Sequence, residues 1–478
     1  MPLTREEARQ IYRLGEEAVI DLLARSSEEI EFLHFRINQL ENQLAKYSQN
    51  SHKPPSTDGF KKVKRTRSLR KKSGRKPGGQ KGHKGHHLKR VEQPDHIEYC
   101  QAPDHCPCGR SLKHKQPERY ERRQVYDLPE IEIKVTEYCA EIKRCDCGVL
   151  HAAPFPEGVD QPVQYGPRIK AKAVYLMNYQ HLPYDRTSEA MEDLFNHRLS
   201  PGTLFNFNKS CHENLERTEE NIKEQLISSS VIHNDETGLQ VNNALFWMHT
   251  TGTDSWTHYA CHPKRGKEAM DDIGILPFLK GTSQHDFWKS YLKYDHCKHA
   301  LCGAHHLRDL EYIYERYEQP WAKAMKRLLC DIKAKVDAAK EQGDSLDQRT
   351  LSAFKRQYDK IIEDGYRANP PPEPKEQKRK RGRPKKGEPL NLLDRFRDHP
   401  AEVLAFMYDF RVSFDNNLAE RDIRMVKLQQ KISGTFRSVQ GAQMFCRIRG
   451  YLSTVKKQNL NILQAIMSVF EGHPILVT

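Results

Sequence analysis

Three acidic residues stand where residue type and position suggest chemistry. Asp235 lies in VIHNDETG, Asp286 in GTSQHDFW and Glu420 in FDNNLAERDIRMVKLQQKISG. Taken singly, each reads as a solvated surface charge, since Asp and Glu are seldom buried. Brought together, three carboxylates repel one another unless cations neutralise them. Two Mg2+ ions about 3.5–4 Å apart would do this and would clamp the attacking and leaving oxygens of an in-line phosphoryl displacement. An all-oxygen ligand set suits Mg2+ or Mn2+ rather than zinc. Arg424, Lys427 and Lys431 follow Glu420 at i+4, i+7 and i+11, on its own helical face. A metal-binding Glu followed by a stripe of cations suits a site that holds DNA phosphates beside its metals. Asp415, Asp422 and Glu236 are the nearest decoys.

The cysteines suggest a second chemistry. Tyr99-Cys100-x5-Cys106-Pro-Cys108-Gly109 and Tyr138-Cys139-x5-Cys145-Asp-Cys147-Gly148 repeat one pattern. Two cysteine turns ending in Gly are the knuckles of a zinc ribbon, with Cys106, Cys108, Cys145 and Cys147 as four thiolates for one structural Zn2+. The one-residue spacing is tighter than usual, so Cys100 and Cys139 stand as alternative ligands. Cys297, His299, Cys302, His305 and His306 form another cluster, in CKHALCGAHHLRDL. There the preferred reading is a core Cys302 with histidines at a strand-to-helix junction, and metal binding is the lesser one.

Elements must position these groups. VIHNDETGLQV and ALFWMHTTG, joined by Asn242-Asn243, read as a hairpin. WTHYACH is a third strand, a helix follows from about 266, and GTSQHD is a fourth strand. Asp235 is expected to close the first strand and Asp286 the fourth, with Glu420 opening a late helix. Three strands, a helix, a fourth strand and later helices is the order of an RNase H-like fold. Upstream, DRTSEAMEDLF, the turn NHRLS and a helix capped by Ser200 with Pro201 at its first position fit a helix-turn-helix reader and generic helical packing equally. Ile30, Leu33, Ile37, Leu40, Leu44 and Tyr47 follow heptad spacing, with Leu23 one heptad back, which predicts self-association through a short coiled coil.

Charge locates the partner. The 478 residues carry 78 Lys+Arg and 64 Asp+Glu, a net +14. Residues 61–90 hold 14 Lys/Arg and no acid, so the excess is one local polycation. Such a segment, containing Arg75, Lys76, Lys81 and Lys84 in GRKPGGQKGHKGHH, is expected to be a phosphate-binding arm. KRGRPKK (380–386) resembles an AT-hook whose Arg381 and Arg383 fit a narrow minor groove, and a charged linker explains it equally well. No apolar run approaches 18 residues, and the N-terminus lacks a signal core. A cytoplasmic chain is expected, where thiols stay reduced.

The order of motifs resembles the insertion-sequence 66 family of transposases over nearly the whole chain. The resemblance rests on SQNSHKPPSTDG, GRKPGGQKGHKGH, the CPCG and KRCDCG knuckles, FPEGVDQPVQYGPRIKA, LPYDRTSEAMEDLF, LSPGTL, HNDETGLQV, HDFWKSY, HALCGAHHLRDL and DNNLAERDIRMVKLQQKISGTFRS. It implies a DDE-type catalytic domain of RNase H-like fold, split before its last acid by a helical insertion. The gap of 134 residues from Asp286 to Glu420 agrees. Its three catalytic acids fall on Asp235, Asp286 and Glu420, and the basic residue seven positions on, common in DDE transposases, falls on Lys427. Many members have C-x-x-C knuckles where this chain has C-x-C.

The expected organisation is multidomain α+β. A helical zipper (1–50), a basic arm (51–94), a zinc ribbon (95–160) and a helical, DNA-binding region (161–228) precede the catalytic core. The core's first part spans 229–304, the helical insertion 305–400 with its basic linker 369–389, and the last helices 401–478. Expected partners are double-stranded DNA, as element ends and target, and further copies of the chain through the coiled coil. Accessory proteins of the same element are an open partner class. A bacterial, nucleoid-associated location follows. The rival reading, a DNA-binding regulator without catalysis, leaves the acids idle.

Overall fold

A computed structural model describes residues 4–47, 50–51, 82, 88–129, 131–341, 343–370 and 386–476. The chain divides into two units. The smaller holds residues 66–136 and 194–196, and the larger the remainder. Arg75, Lys76, Lys81, Lys84, Arg381 and Arg383 lie outside the described residues.

The N-terminus forms α1 (Arg5–Arg13), opened by a Thr4–Glu7 capping box, and α2 (Glu16–Ala45). Ile30, Leu33, Ile37, Leu40 and Leu44 along α2 are exposed. The C-terminal end of α2 docks instead through polar contacts: Arg316 to Glu41 at 2.7 Å, Lys46 to Glu388 at 2.7 Å and the Tyr47 hydroxyl to Glu315 at 2.9 Å.

The strands β1 (Ile142–Arg144) and β2 (Leu150–Ala152) pair antiparallel around Cys145–Gly148. Four helices follow: α3 (Pro167–Val174), α4 (Tyr184–Phe195), α5 (Pro201–Asn214) and α6 (Glu216–Ser228). Ser200 caps α5 as its sequence predicts, accepting from the Thr203 amide. The inner face of α5 buries Leu204, Phe207, Asn208 and Cys211.

The central sheet contains β3 (Val231–Val241), β4 (Ala244–Gly252), β5 (Thr257–His262), β6 (Thr282–His285) and β7 (Lys298–Leu301). Its order is β5-β4-β3-β6-β7. The β3-β4-β5 meander is antiparallel, and β3-β6-β7 are parallel. Asn242 and Asn243 both take positive φ at the β3–β4 turn, 48° and 61°, which Asn tolerates. A short helix α7 (Lys267–Ile273) lies between β5 and β6.

After β7 come α8 (Gly303–Tyr317), α9 (Pro320–Ala339), α10 (Gln348–Ala368), α11 (Glu388–Asp398) and the single turns α12 (Pro400–Val403) and α13 (Ala405–Tyr408). They share one core built on Leu310, Trp321, Met325, Leu329, Tyr358 and Phe396. The chain then returns to the sheet as α14 (Asn417–Ser433), α15 (Val439–Lys457) and α16 (Ile462–Phe470). The mixed sheet with its helices is consistent with an RNase H-like catalytic domain.

Strand alternation sorts the two faces of β3. Leu239 and Val241 pack with Val426 of α14 and Phe445 of α15, whereas Ile232 packs on the opposite side with Met270 and Tyr291. Odd and even residues of a strand point to opposite faces. Gly450 of α15 sits where a Cβ would come within 3.2 Å of the Thr257 carbonyl, so glycine lets α15 lie close on β5.

Candidate active site

Asp235 does not close its strand, as the sequence suggested. It is the fifth residue of β3, which continues to Val241 in the hairpin. The parallel pairing of β3 with β6 ends at His233 and Gln284, so Asp235 lies just past the parallel ladder. Asp286 follows the last residue of β6, and Glu420 sits in the first turn of α14. Burial holds the Asp235 carboxyl well above the usual carboxylate range, and the negative charges of Glu236, Asp286 and Glu420 push it the same way. The charges of Asp286 and Glu420 thus both reach Asp235, but among the described residues the ligand atoms within 4.8 Å of one another are those of Cys302, His305 and Glu420, not of the three expected acids.

Across the insertion, contacts of α14 itself with β3 are joined by those of the segment before it. Gln284 of β6 donates to the carbonyls of Ser413 (2.7 Å) and Asp415 (3.1 Å). The Gly303 amide donates to the Phe414 carbonyl at 2.8 Å, and a Cβ on Gly303 would come within 2.5 Å of the Phe414 ring. Asn416, buried at the start of α14, donates to the Asn234 carbonyl (2.8 Å) and meets His233 Nδ1 at 2.8 Å. Its amide also donates to Cys302 Sγ at 3.2 Å. Asn416 thus ties the start of the helix to β3 and β7 and aims Glu420.

The decoys separate for physical reasons. Glu236 is adjacent to Asp235 and points to the other face. There it accepts from Arg265 Nε and Nη2 at 2.9 and 2.8 Å and from the Tyr291 hydroxyl at 2.5 Å. Arg265 is sandwiched between Trp247 and Trp288, 4.7 and 3.8 Å from the ring centroids. Burial and the charge of Asp286 still hold the Glu236 carboxyl above the usual range, and the bonds to Tyr291 and Arg265 offset only part of this. Asp422 is structural, paired with Lys457 at 2.7 Å and with little exposure. Asp415 accepts from the Asn417 amide at 3.1 Å.

The basic stripe behaves unevenly. Arg424 pairs with Glu420 itself, Nη2 to Oε2 at 3.1 Å. Lys427 donates to the Gly238 carbonyl at 2.6 Å, which fastens α14 to β3, while Lys431 is exposed. The other oxygen of Glu420, Oε1, is buried with no hydrogen-bond partner among the described residues. Unbalanced carboxylates and an orphaned buried oxygen fit an acidic centre for divalent cations. Sequence reasoning missed Asn416, Arg265 and Tyr291. Their signal was adjacency, since Asn416 precedes the Glu420 helix and Tyr291 follows Asp286 in HDFWKSY.

The cysteine knuckles are each ordered by the same turn. Gly109 donates to the Cys106 carbonyl and Gly148 to the Cys145 carbonyl, both at 2.8 Å. Both glycines have positive φ, 86° and 87°, which disfavours any side chain. Backbone amides lower the thiol pKa of Cys108 and of Cys145, and the neighbouring Cys106 and Cys147 thiols add to this.

Comparison with known proteins gives three matches. The profile of the "Transposase IS66 family" covers residues 162–444. A "Family of unknown function (DUF6444)" covers residues 3–89. A curated protein from Macaca fascicularis, a TATA box-binding protein-associated factor of RNA polymerase I, is 33% identical over 100 residues, 19% of this chain and 16% of that one. The chain thus spans about one-sixth of that relative's length.

Proposed function

The chain belongs to the transposase IS66 family and carries its DDE-type domain, and from that premise we propose that Asp235, Asp286 and Glu420 are its catalytic acids. The reading is carried by one observation: the half-buried Asp235 of β3 is held above the usual carboxylate range by desolvation and by the charges of Glu236, Asp286 and Glu420, and the last two reach it from different elements. DDE transposases generally use divalent metal ions, and Mg2+ or Mn2+ is the ion proposed here. Asp235, Asp286 and Glu420 would hold it. When bound, the cations supply charge stabilisation on the attacking and leaving oxygens of the phosphodiester.

The chain's own residues perform the rest. Asn416 and Gln284 fix the start of α14, and with it the position of the third carboxylate. Arg265, stacked on two indoles, holds Glu236 on the opposite face of β3 and offsets part of its charge. Arg424 and Lys431 present cations along α14 to the DNA backbone, and Lys427 keeps that helix against β3. The cycle proposed is cleavage of a strand at the element's ends, with water as nucleophile, followed by attack of the freed 3′-OH on target DNA. No covalent protein–DNA intermediate is required.

The remaining modules are proposed from their sequences. The basic segment with Arg75, Lys76, Lys81 and Lys84, the knuckle cysteines with one structural Zn2+, and the α4–α5 region engage the terminal repeats. The exposed heptad face of α2 pairs with a second copy. Arg381 and Arg383 contact a minor groove. The test is strand cleavage and strand transfer on a duplex carrying the element's own ends, with Mg2+, by wild type and by the three acid variants. Undiminished cleavage by all three would remove the assignment.

A further inference from the structure

Glu420 has two neighbours that play no part in the acidic chemistry. Cys302 Sγ, a ring nitrogen of His305 and a carboxylate oxygen of Glu420 all lie within 4.8 Å of one another. Cys302 follows β7, His305 occupies the first turn of α8, and Glu420 comes from α14, so the grouping exists only in the folded chain. We propose that Cys302, His305 and Glu420 bind a borderline divalent cation of the Zn2+ class, and that occupation of this site withdraws Glu420 from the acidic triad. The second half rests on the reading of Glu420 as the third catalytic acid, and the first half does not.

The donor set decides the ion. A thiolate, an imidazole and one carboxylate favour Zn2+ or Co2+, whereas Mg2+ asks for oxygens. Three protein ligands leave the fourth tetrahedral position for water. Room exists beside Cys302 and His305, in a cavity of about 180 Å3 also lined by Asp286 and Arg395, although Glu420 is not part of its lining. The sulfur accepts the Asn416 amide at 3.2 Å, which offsets part of the upward shift that burial imposes on the thiol, and the charge of a bound cation would have to supply the rest. Glu420 Oε1 is buried with no hydrogen-bond partner among the described residues, and the Arg424 bond is made by the other oxygen. Binding sends the thiol proton to solvent and leaves oxidation states unchanged. One carboxylate cannot serve a tetrahedral soft site and the catalytic pair with the same geometry, so the two ions compete.

The experiment uses the full chain with its knuckle cysteines intact and Co2+ as a spectroscopic stand-in for Zn2+. Wild type is compared with Cys302→Ser and His305→Ala, and circular dichroism checks that each is folded. Serine keeps an acceptor for the Asn416 amide. Wild type should take up one more Co2+ per chain than either variant, with additional thiolate-to-Co2+ absorption. In Mg2+, Zn2+ should inhibit strand cleavage by wild type at concentrations about tenfold or more below those needed for Cys302→Ser. Equal Co2+ uptake and identical spectra in all three proteins overturn the site. If Glu420→Gln still cleaves while Cys302→Ser loses Co2+, the site stands and the third catalytic acid is misassigned. If Glu420→Gln is inactive while the Cys302 and His305 variants bind Co2+ like wild type, the acid stands and this site falls.

Discussion

Between residues 88 and 160, no described residue is buried, and Val125, Leu128 and Val135 each expose more than four-fifths of their surface. Around Asp235 the reverse holds. Ile232, His233 and Asn234 before it are buried, and its own carboxyl is desolvated among like charges. The knuckles are local objects, each a turn of a few residues closed by a glycine. The proposed acidic centre draws on β3, the end of β6 and α14, with helices α8 to α13 between the second acid and the third. A site without a core needs a ligand to give it rigidity. A site inside a core is rigid before any ligand arrives, and it stores the repulsion that the ligand relieves.

The largest effect should come from the acids. Asp235→Asn, Asp286→Asn and Glu420→Gln should each reduce cleavage and strand transfer by on the order of a thousandfold or more, because charge developing on the phosphate loses its stabilisation. DNA binding should stay near wild type in a filter or mobility assay. Asp415→Asn is the control. Asp422→Asn is a poor one, since it weakens a buried pair with Lys457. A dead Asp415→Asn with an active Glu420→Gln would move the third acid.

Next comes the coreless segment. Cys145→Ser or Cys147→Ser should release one Zn2+ per chain and weaken end binding by roughly 10–100-fold, while cleavage chemistry in the core survives at high DNA concentration. Atomic absorption reads the zinc. Full zinc content in both variants would break the contrast.

Deleting residues 61–90 removes 14 Lys/Arg and no acid. The salt dependence of DNA binding should flatten, equally for end sequence and random duplex. An unchanged slope would assign the segment to linking alone.

A smaller effect sharpens the idea of stored repulsion. The folded pKa of Asp235 lies above its unfolded value, so the folded state binds the proton more tightly. Its contribution to stability is therefore favourable at low pH and is lost as pH rises through the window above the ordinary carboxylate value. Without divalent ions, Asp235→Asn should raise Tm near neutral pH by about 2–4 °C and flatten its pH dependence there. Mg2+ should stabilise wild type more than the variant. An Asp235→Asn protein less stable than wild type in chelator would contradict the repulsion.

The smallest effect is at Lys427. Its bond to the Gly238 carbonyl makes Lys427→Ala a loosening of α14, with weaker engagement of the DNA end and residual, saturable cleavage.

Much of this was readable from residue order. The Asn242-Asn243 hairpin, the Ser200 cap, the knuckle turns and the succession of strands follow from local preferences, which need only near neighbours. The matched family over residues 162–444 agrees with the motifs quoted from LPYDRTSEAMEDLF onward, and the arm and knuckle motifs lie outside that match. The acids were legible as residue types, but their environments were not. Period-two alternation places Asp235 and Glu236 on opposite faces, yet only the packing shows that Arg265 and Tyr291 occupy one face and α14 the other. That Asp235 lies mid-strand comes from its hairpin pairing with Thr250, whereas the tie of Asn416 to β3 depends on hydrogen bonds between residues more than 100 positions apart. The meeting of Cys302 and His305 with Glu420 is of the same kind. Spacing along a chain constrains distance only over a turn or two, and beyond that the burial of the sheet and its helices decides which side chains meet.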